Sequence, residues 1–199
     1  MRRIVMYNHV TADGYFAGPD GNLGWVAPDE ELQAEAMESM PGIDMVLFGR
    51  RTYEQFASFW PKAIESPEVE DPHGSGHRSK AMHDMGVWLD QATKLVFTRT
   101  LKKAPWRNTR LLSEIDAREI QALKDGPGGD MIIFGSGTIV SQLTQHGLID
   151  DYHFLVDPIL LGGGQTMIKE VSKTAKLDLV EAKTFRSGVV RLRYTRANS

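Results

Sequence analysis

Four short apolar runs recur along the first two thirds of the chain. They cover residues 4–9, 45–48, 95–97 and 131–134, and glycine directly follows the second and the fourth. The runs at 45–48 and 131–134 are continuously apolar, which is typical of strands buried on both faces of a parallel sheet, whereas the run at 4–9 is apolar-rich and is predicted as a strand that ends in a loop. The pattern therefore predicts a central sheet whose strands are mostly parallel.

Segments with helical periodicity lie between these runs. Leu32, Ala36 and Met40 recur every four residues, after Pro28 and three acidic residues and before Pro41-Gly42, which predicts a capped amphipathic helix. Further helices are predicted over residues 50–60, 79–89, 113–124 and 136–147. In the third of these, Ser113 and Asp116 resemble a capping box.

Two regions depart from this alternation. Residues 61–80 are polar, rich in Pro and Gly and without period, which predicts a mobile surface loop and a candidate lid. Near the C-terminus, a strand over 152–159 is followed by two strands, 177–185 and 189–196, on either side of Ser187-Gly188, the pattern of an antiparallel hairpin. We therefore expect one α/β domain over residues 1–199, with a three-layer, mostly parallel central sheet, helices on both faces and an antiparallel C-terminal hairpin.

Composition excludes several classes of function. Lys and Arg number 23 against 26 Asp and Glu, so we expect no nucleic-acid partner. The chain has no cysteine and no apolar stretch long enough to span a membrane. We therefore expect a cytoplasmic protein without disulfides or Cys-ligated zinc.

The first candidate site follows the second apolar run. Gly49 ends a predicted strand there, and Arg50, Arg51 and Thr52 begin a helix. Backbone N–H groups at a helix N-terminus favour anions, and guanidinium groups bind phosphate oxygens. These residue types therefore indicate a phosphate site. The alternative is that two arginines only solvate a helix end.

Two further strand ends carry similar chemistry. Gly135, Ser136, Gly137 and Thr138 lie between a strand and a helix, where glycines permit close approach of a diphosphate, although a simple tight turn also needs glycine. Thr98-Arg99 places a hydroxyl and a guanidinium at the end of a parallel strand, where open α/β sheets bind ligands. Such a pair can hold an adenosine 2′-phosphate.

Taken together, these strand ends resemble the dihydrofolate reductase superfamily. The branch is the one that contains the C-terminal reductase domain of the bifunctional riboflavin-biosynthesis deaminase/reductase. The resemblance spans nearly the whole chain and rests on the segments 11–15, 49–54, 98–99, 135–138, 148–152 and 158–164. It implies that the chain binds NADPH across the edge of the sheet.

Residue roles follow from the resemblance by position. Arg50, Arg51 and Thr52 would meet the cofactor phosphates together with the turn from Gly135 to Thr138, and Thr98 and Arg99 the 2′-phosphate. The loop after the first strand would border the nicotinamide with Asp13, Gly14, Tyr15, Phe16 and Ala17.

The resemblance also implies a catalytic acid. The family has a tryptophan, a proline and then a carboxylate, which Trp25, Pro28 and Glu30 approximate. A half-buried carboxylate can donate the proton that reduction of C=N requires. Glu30 is thus the first candidate and Asp13 the second. The alternative is that acidic residues such as Glu30 only stabilise the positive end of the helix dipole.

The expected activity is NADPH-dependent hydride transfer to a C=N or C=O group of a small heterocyclic or sugar-linked substrate. The alternative is a non-catalytic protein that binds NADPH, a flavin or a pterin. The interval from Glu54 to Leu95 is longer than in compact folate reductases, which argues against folate, and without cysteine we expect no deaminase module. His73, His77 and His83 do not form a known metal motif, so we expect no metal. A symmetric homodimer is expected from the resemblance and from the C-terminal strand.

Overall fold

The strands and helices were assigned in a computed structural model, which describes residues 1–27, 29–66 and 79–197. The strands are β1 (Ile4–Thr11), β2 (Tyr15–Ala17), β3 (Ile43–Gly49), β4 (Thr93–Phe97), β5 (Thr109–Leu112), β6 (Asp130–Ile133), β7 (Asp151–Asp157), β8 (Gln165–Thr166), β9 (Leu177–Thr184) and β10 (Val190–Arg196). The helices are α1 (Glu30–Ser39), α2 (Arg50–Glu65), α3 (Lys80–Gln91), α4 (Ala117–Asp125) and α5 (Gly137–Gln145), with a short 3₁₀ turn at Met40–Gly42.

Eight of these strands form one sheet in the order β5-β4-β3-β6-β1-β7-β10-β9. The six strands from β5 to β7 are parallel, whereas β10 runs antiparallel to both β7 and β9. The carboxyl ends of β3, β6 and β1 therefore meet at one edge of the sheet, where ligands of open α/β folds bind. The strands β2 and β8 form a separate antiparallel pair.

Helices cover both faces of the sheet. On one face Ile120 of α4 and Leu143 of α5 pack with Met6 and Leu47 of the strands. The other face carries α1, α2 and α3, whose buried residues meet Val46, Phe48 and Ile132. Successive side chains of a strand point to opposite faces of the sheet, so alternate residues lie in the two cores. The expected three-layer α/β fold with an antiparallel hairpin is confirmed.

Helix α2 extends further than its sequence indicates. The sequence predicts a loop from Pro61 onward, but the helix continues through Pro61 to Glu65. The extra turn is retained because Ala63 is fully buried and because Gly86 of α3 lies against Trp60 and Ile64. Helix packing therefore outweighs the lost backbone hydrogen bond of proline. Of the predicted loop over 61–80, residues 67–78 lie outside the described residues, and so does the predicted lid.

Smaller differences concern caps and short strands. The capping box at Ser113 was wrong: Asp116 caps α4, and its side chain accepts a hydrogen bond from the Arg118 N–H. The strands β2, β5 and β8 were not predicted, because short segments of mixed polarity carry little periodic signal. In the described part of the chain, no helix is long and apolar enough to cross a membrane.

His153, on β7, predicts a pH dependence of stability. Burial, with smaller contributions from the charges of Arg193 and Arg191, lowers the pKa of its imidazole from 6.5 to about 4. Between these values the unfolded chain binds a proton that the folded chain does not, so the free energy of unfolding falls as the pH drops from about 6.5 towards 4. The free energy of unfolding, measured with urea, should fall by ~1–2 kcal/mol less in His153→Gln than in the parent protein between pH 7 and pH 5. An unchanged loss in the variant would contradict this.

Candidate active site

A large cleft opens along the carboxyl edge of the sheet. Its volume is about 1730 Å³, more than the roughly 300–1000 Å³ that holds one drug-sized ligand. We call one part the cofactor side: it follows the ends of β3, β4 and β6 and includes Gly49–Thr52, Thr98, Arg99 and Phe134–Ile139. The other part, the substrate side, lies between β1 and helices α1 to α3. The volume is sufficient for two ligands side by side.

Hydrogen bonds join the turns that form the cofactor side. The Ser136 hydroxyl accepts a hydrogen bond from the Gly49 N–H at 2.9 Å and donates one to the Thr52 hydroxyl at 3.0 Å. The Asn8 side chain accepts from the Gly135 N–H and donates to the Gly135 carbonyl. Gly135 and Ser136 both have left-handed backbone, with φ of 56° and 57°. The predicted turns after β3 and β6 are thus one connected structure.

Two helix N-termini point at this structure without side-chain caps. Gly49 precedes α2 and Ser136 precedes α5, and neither contributes a capping hydrogen bond from its side chain. The first N–H groups of each helix therefore remain available, at the positive ends of two helix dipoles. Such groups are well suited to bind phosphate oxygens.

Three arginines surround these helix ends. Arg50, Arg51 and Arg99 all line the cleft. Arg50 donates a hydrogen bond to the Thr100 hydroxyl at 3.1 Å and lies 3.8 Å from the Glu54 carboxylate. No described residue pairs with the guanidinium groups of Arg51 or Arg99. The cofactor side thus carries free positive charge for a polyanionic ligand.

Thr98 and Thr138 also line the cofactor side. The Thr98 hydroxyl accepts hydrogen bonds from the N–H groups of Thr100 and Leu101, at 3.2 and 3.0 Å. It therefore shapes the turn after β4 and retains one hydroxyl hydrogen for a ligand. Thr138, in the first turn of α5, is exposed.

Phe16 and Ala17 line the cleft on β2, which pairs with β8. The Phe16 ring lies so close to Gly137 that a Cβ on that glycine would be 3.0 Å from a ring carbon and 3.2 Å from the Met167 carbonyl oxygen. A side chain at position 137 would therefore have to displace Phe16 or the backbone at Met167 by a few tenths of an ångström. Gly14, with φ of 89°, turns the chain from β1 into β2.

Asp13, Gly14 and Tyr15 do not line the cleft. The Asp13 carboxylate accepts hydrogen bonds from the Thr11 hydroxyl at 2.5 Å and from the N–H groups of Gly162 and Leu161 at 2.7 and 3.2 Å. The bond from Thr11, with smaller contributions from the two N–H groups, lowers the pKa of Asp13. Such a carboxylate anchors a loop and is poorly suited to donate a proton near neutral pH.

The carboxylate that reaches the cleft beside α1 is Asp29. It is buried and caps α1 by accepting a hydrogen bond from the Leu32 N–H at 2.8 Å, and the Ser187 hydroxyl of the β9–β10 hairpin donates to its other oxygen. Glu30 is exposed and does not line the cleft. Its role as proton donor stays a prediction from the resemblance. An N-cap position faces inward whereas the next residue faces solvent, and this difference of one position was not resolved by the sequence pattern.

Sequence reasoning also missed polar residues on β1. Tyr7 and His9 share one face of the strand and line the substrate side. The buried Tyr7 hydroxyl has no hydrogen-bond partner among the described residues. Burial, more than the neighbouring charges, strongly raises the pKa of this phenol, so it stays protonated and can donate to a ligand. The alternation along residues 5, 7 and 9 could have indicated this shared face.

Apolar side chains form the walls of the substrate side. The wall residues are Leu23, Val26, Leu32, Met37, Phe56, Phe59, Trp60, Met82 and Met85. Phe56 stacks on Phe134 with ring centroids 5.8 Å apart. Among the described residues that line the cleft, the cations are Arg50, Arg51, Arg99 and Lys169, and none lies on the substrate side.

Among residues 1–27, 29–66 and 79–197, no three His, Asp or Glu side chains are grouped to hold a metal ion. His73 and His77 lie outside the described residues. His83 lies on α3, with its Nδ1 atom 3.4 Å from the Asp84 carboxylate.

Comparison with known proteins identifies one family and several proteins of similar sequence or fold. Residues 2–191 match the family model of the RibD C-terminal domain. The uncharacterized protein YyaP of Bacillus subtilis (strain 168) is 27% identical over 193 residues, covering 97% of this chain and 94% of that protein. Among solved structures, a putative riboflavin biosynthesis protein from Shewanella sp. PV-4 has a TM-score of 0.71 at 20% identity, with both chains covered in full. Dihydrofolate reductase from Enterococcus faecalis, in complex with NADP(H), has a TM-score of 0.57 at 16% identity and covers 98% of this chain and 97% of its own.

Proposed function

Because this chain belongs to the RibD C-terminal domain family, a family of reductase type, we propose that it is an NADPH-dependent reductase of a small heterocyclic or sugar-linked compound. The observation that carries the proposal is the cofactor side of the cleft. Two uncapped helix N-termini and three arginines converge there, directly beside an apolar pocket with polar groups at its base. This combination suits a phosphate-bearing cofactor next to a ring-shaped substrate.

The residues of the cofactor side fit a dinucleotide. The N–H groups of α2 and α5 and the Arg51 guanidinium would hold the diphosphate, and the glycine at 137 leaves the backbone approachable beside Phe16. Ala17 and Asn8 line the cleft between this site and the substrate side, where the nicotinamide would lie. When bound there, the reduced nicotinamide supplies the hydride.

The choice of NADPH over NADH depends on the turn after β4. Arg99 is exposed, lines the cleft and has no described partner, so it can pair with a 2′-phosphate. We expect NADPH to bind at least about tenfold more tightly than NADH, or ~1.4 kcal/mol. Arg99→Ala should erase most of this difference in calorimetric titrations. Arg110→Ala, an exposed change on the neighbouring strand β5, should preserve it, and equal affinities of the parent protein for both cofactors would contradict the assignment.

The substrate side favours a flat ring. Phe56, Trp60 and the methionines of α1 and α3 provide apolar walls, while Tyr7 and Asp29 provide a hydrogen-bond donor and an acceptor. Among the described residues, no Lys or Arg lines this side, so a substrate phosphate would lack an ammonium or guanidinium partner. We therefore propose a phosphate-free heterocycle with a C=N or C=O group as the preferred substrate.

Turnover tests this function directly. Purified protein would be mixed with NADPH and with paired heterocycles that carry a C=N or C=O group, each with and without a sugar phosphate, and NADPH oxidation would be followed by absorbance. We expect oxidation with phosphate-free members of the panel. If NADPH binds but no compound is reduced, the protein is a binding protein and the proposed function is wrong.

We also propose that the chain forms a symmetric homodimer. Among the described strands, β9 lies at an edge of the sheet, with Leu179 and Val180 exposed by 58% and 50%. An exposed apolar edge strand pairs readily with a second copy. Light scattering should give about twice the chain mass of 22.2 kDa, and a monomer mass at every concentration would contradict this.

A further inference from the structure

A histidine–aspartate pair joins the ends of two neighbouring strands in the cleft. His9 lies near the end of β1 and Asp157 ends β7. The Nδ1 atom of His9 is 2.8 Å from Oδ2 of Asp157. The His9 side chain is 27% exposed and lines the cleft, whereas that of Asp157 is 1% exposed. The pair thus has one buried member and one that faces the ligand space.

The burial of Asp157 indicates that the pair has a role beyond folding. Its Oδ1 atom is buried without a hydrogen-bond partner among the described residues, so His9 is the only described side chain that pairs with its carboxylate. A buried carboxylate with so few partners costs stability, and an apolar pair of similar size would avoid that cost. Polar groups retained at such a cost are concentrated at functional sites.

The geometry fixes which atom of His9 faces the cleft. Because Nδ1 is directed at a carboxylate, the ring is oriented and Nδ1 carries hydrogen. The Nε2 atom, for which the described residues provide no partner, is then the nitrogen that exchanges a proton with a ligand. Tyr7 and Asp29 are further ionisable groups on the substrate side, and Asp20 also lines the cleft. Arg191 of β10 and Glu35 of α1 act on Tyr7.

We propose that His9 donates the proton in the proposed reduction and that Asp157 positions it. In reduction of a C=N bond, the carbon receives the hydride with its electron pair from the reduced nicotinamide. The π electrons move to the nitrogen, which takes the proton from Nε2 of His9. The neutral imidazole keeps its Nδ1 hydrogen on Asp157 and regains a proton from water. With a C=O substrate the oxygen takes the proton in the same way.

Other candidates fit this role less well. Asp13 is held by three hydrogen bonds outside the cleft, and Glu30 is exposed away from it. Tyr7 holds its proton too tightly, since burial strongly raises the pKa of its phenol. Asp29 already accepts hydrogen bonds from the Leu32 N–H and the Ser187 hydroxyl, and serves better as an acceptor for the substrate.

The kinetic test uses His9→Gln and Asp157→Asn. Glutamine can keep a hydrogen bond to Asp157 but cannot exchange a proton. With the panel compound that the parent protein reduces fastest, kcat of His9→Gln should fall at least about 100-fold, the lower end of general acid contributions, while KM and NADPH affinity change little. The partly exposed pair His83 and Asp84, which does not line the cleft, gives the matched controls His83→Gln and Asp84→Asn, whose kcat should equal that of the parent.

A spectroscopic test needs no substrate. Nitrogen-15 spectra of the histidine rings, with His9 assigned from its absence in His9→Gln, report which ring nitrogen carries hydrogen. We expect hydrogen on Nδ1 in the parent protein. In Asp157→Asn the asparagine amide can itself donate to Nδ1, so the Nε2–H tautomer should appear and kcat should fall with it.

The outcomes separate this inference from the proposed function on which it rests. No NADPH oxidation by the parent protein with any compound overturns both. If the parent protein oxidises NADPH and His9→Gln does so at a rate within about twofold of the parent, then His9 is not the proton donor. The reductase function would still hold. If Nδ1 of His9 carries no hydrogen in the parent protein, Asp157 does not position the ring. The same follows if Asp157→Asn lowers kcat while the tautomer of His9 stays unchanged.

Discussion

Asp29→Asn is expected to lower kcat/KM for the heterocyclic substrate by about 10- to 100-fold, mainly through KM. The Asp29 carboxylate lines the substrate side. One of its oxygens accepts from the Leu32 N–H and the other from the Ser187 hydroxyl, and each retains a lone pair for a substrate N–H. A hydrogen bond to a charged group contributes ~1.5–3 kcal/mol, which the neutral amide would forfeit in large part. Asparagine is as good an N-cap as aspartate, so α1 should remain intact.

Glu30→Gln makes the same chemical change one residue further along the chain. Because Glu30 is exposed outside the cleft, this variant should have kinetics close to those of the parent. Steady-state kinetics at saturating NADPH, with circular dichroism to verify folding, would decide between the two carboxylates. A large loss in Glu30→Gln together with normal kinetics in Asp29→Asn would contradict this assignment and support the acid indicated by the sequence.

Arg51→Ala is expected to weaken binding of NADPH and NADH by similar factors of about 10- to 100-fold. The Arg51 guanidinium lies at the start of α2, lines the cleft and has no described partner. Its proposed ligand is the diphosphate, which both cofactors share, and charge-assisted hydrogen bonds to phosphate contribute ~1.5–3 kcal/mol. This distinguishes it from Arg99, whose loss should affect NADPH alone.

Arg118→Ala provides the matched control for that experiment. Arg118 is also exposed in the first turn of a helix, but α4 lies away from the cleft. Calorimetric titration should show parental affinity in this variant. If Arg51→Ala retained full affinity for both cofactors, α2 would not bind the diphosphate and the orientation of the cofactor would need revision.

The fold could be predicted largely because its central strands are short, apolar and closed by glycine. The strands β3 and β6 and the helices that follow them have strong local signals at Gly49 and Gly135. The end of α2 could not be predicted, because Pro61 is a local helix breaker and only the packing of α3 retains the helix. Local propensity fails where contacts distant in sequence decide the structure.

The candidate site divides in a similar way. The strand ends for which phosphate binding is proposed are marked by adjacent residues, such as Arg50 and Arg51, and these residues line one cleft. The His9–Asp157 pair joins residues 148 positions apart, and nothing local to either residue marks the other as its partner. Parallel pairing of β1 with β7 creates this contact, so it becomes visible only with the fold.

Titration of the protein with NADPH tests the central claim most directly. Trp60 lines the cleft, so energy transfer from tryptophan to the reduced nicotinamide should report binding. We predict saturable binding of one NADPH per chain, with displacement by adenosine 2′,5′-bisphosphate and at least about tenfold weaker binding of NADH. No saturable signal up to about 1 mM NADPH, equivalent to less than ~4 kcal/mol of binding free energy, would contradict the account.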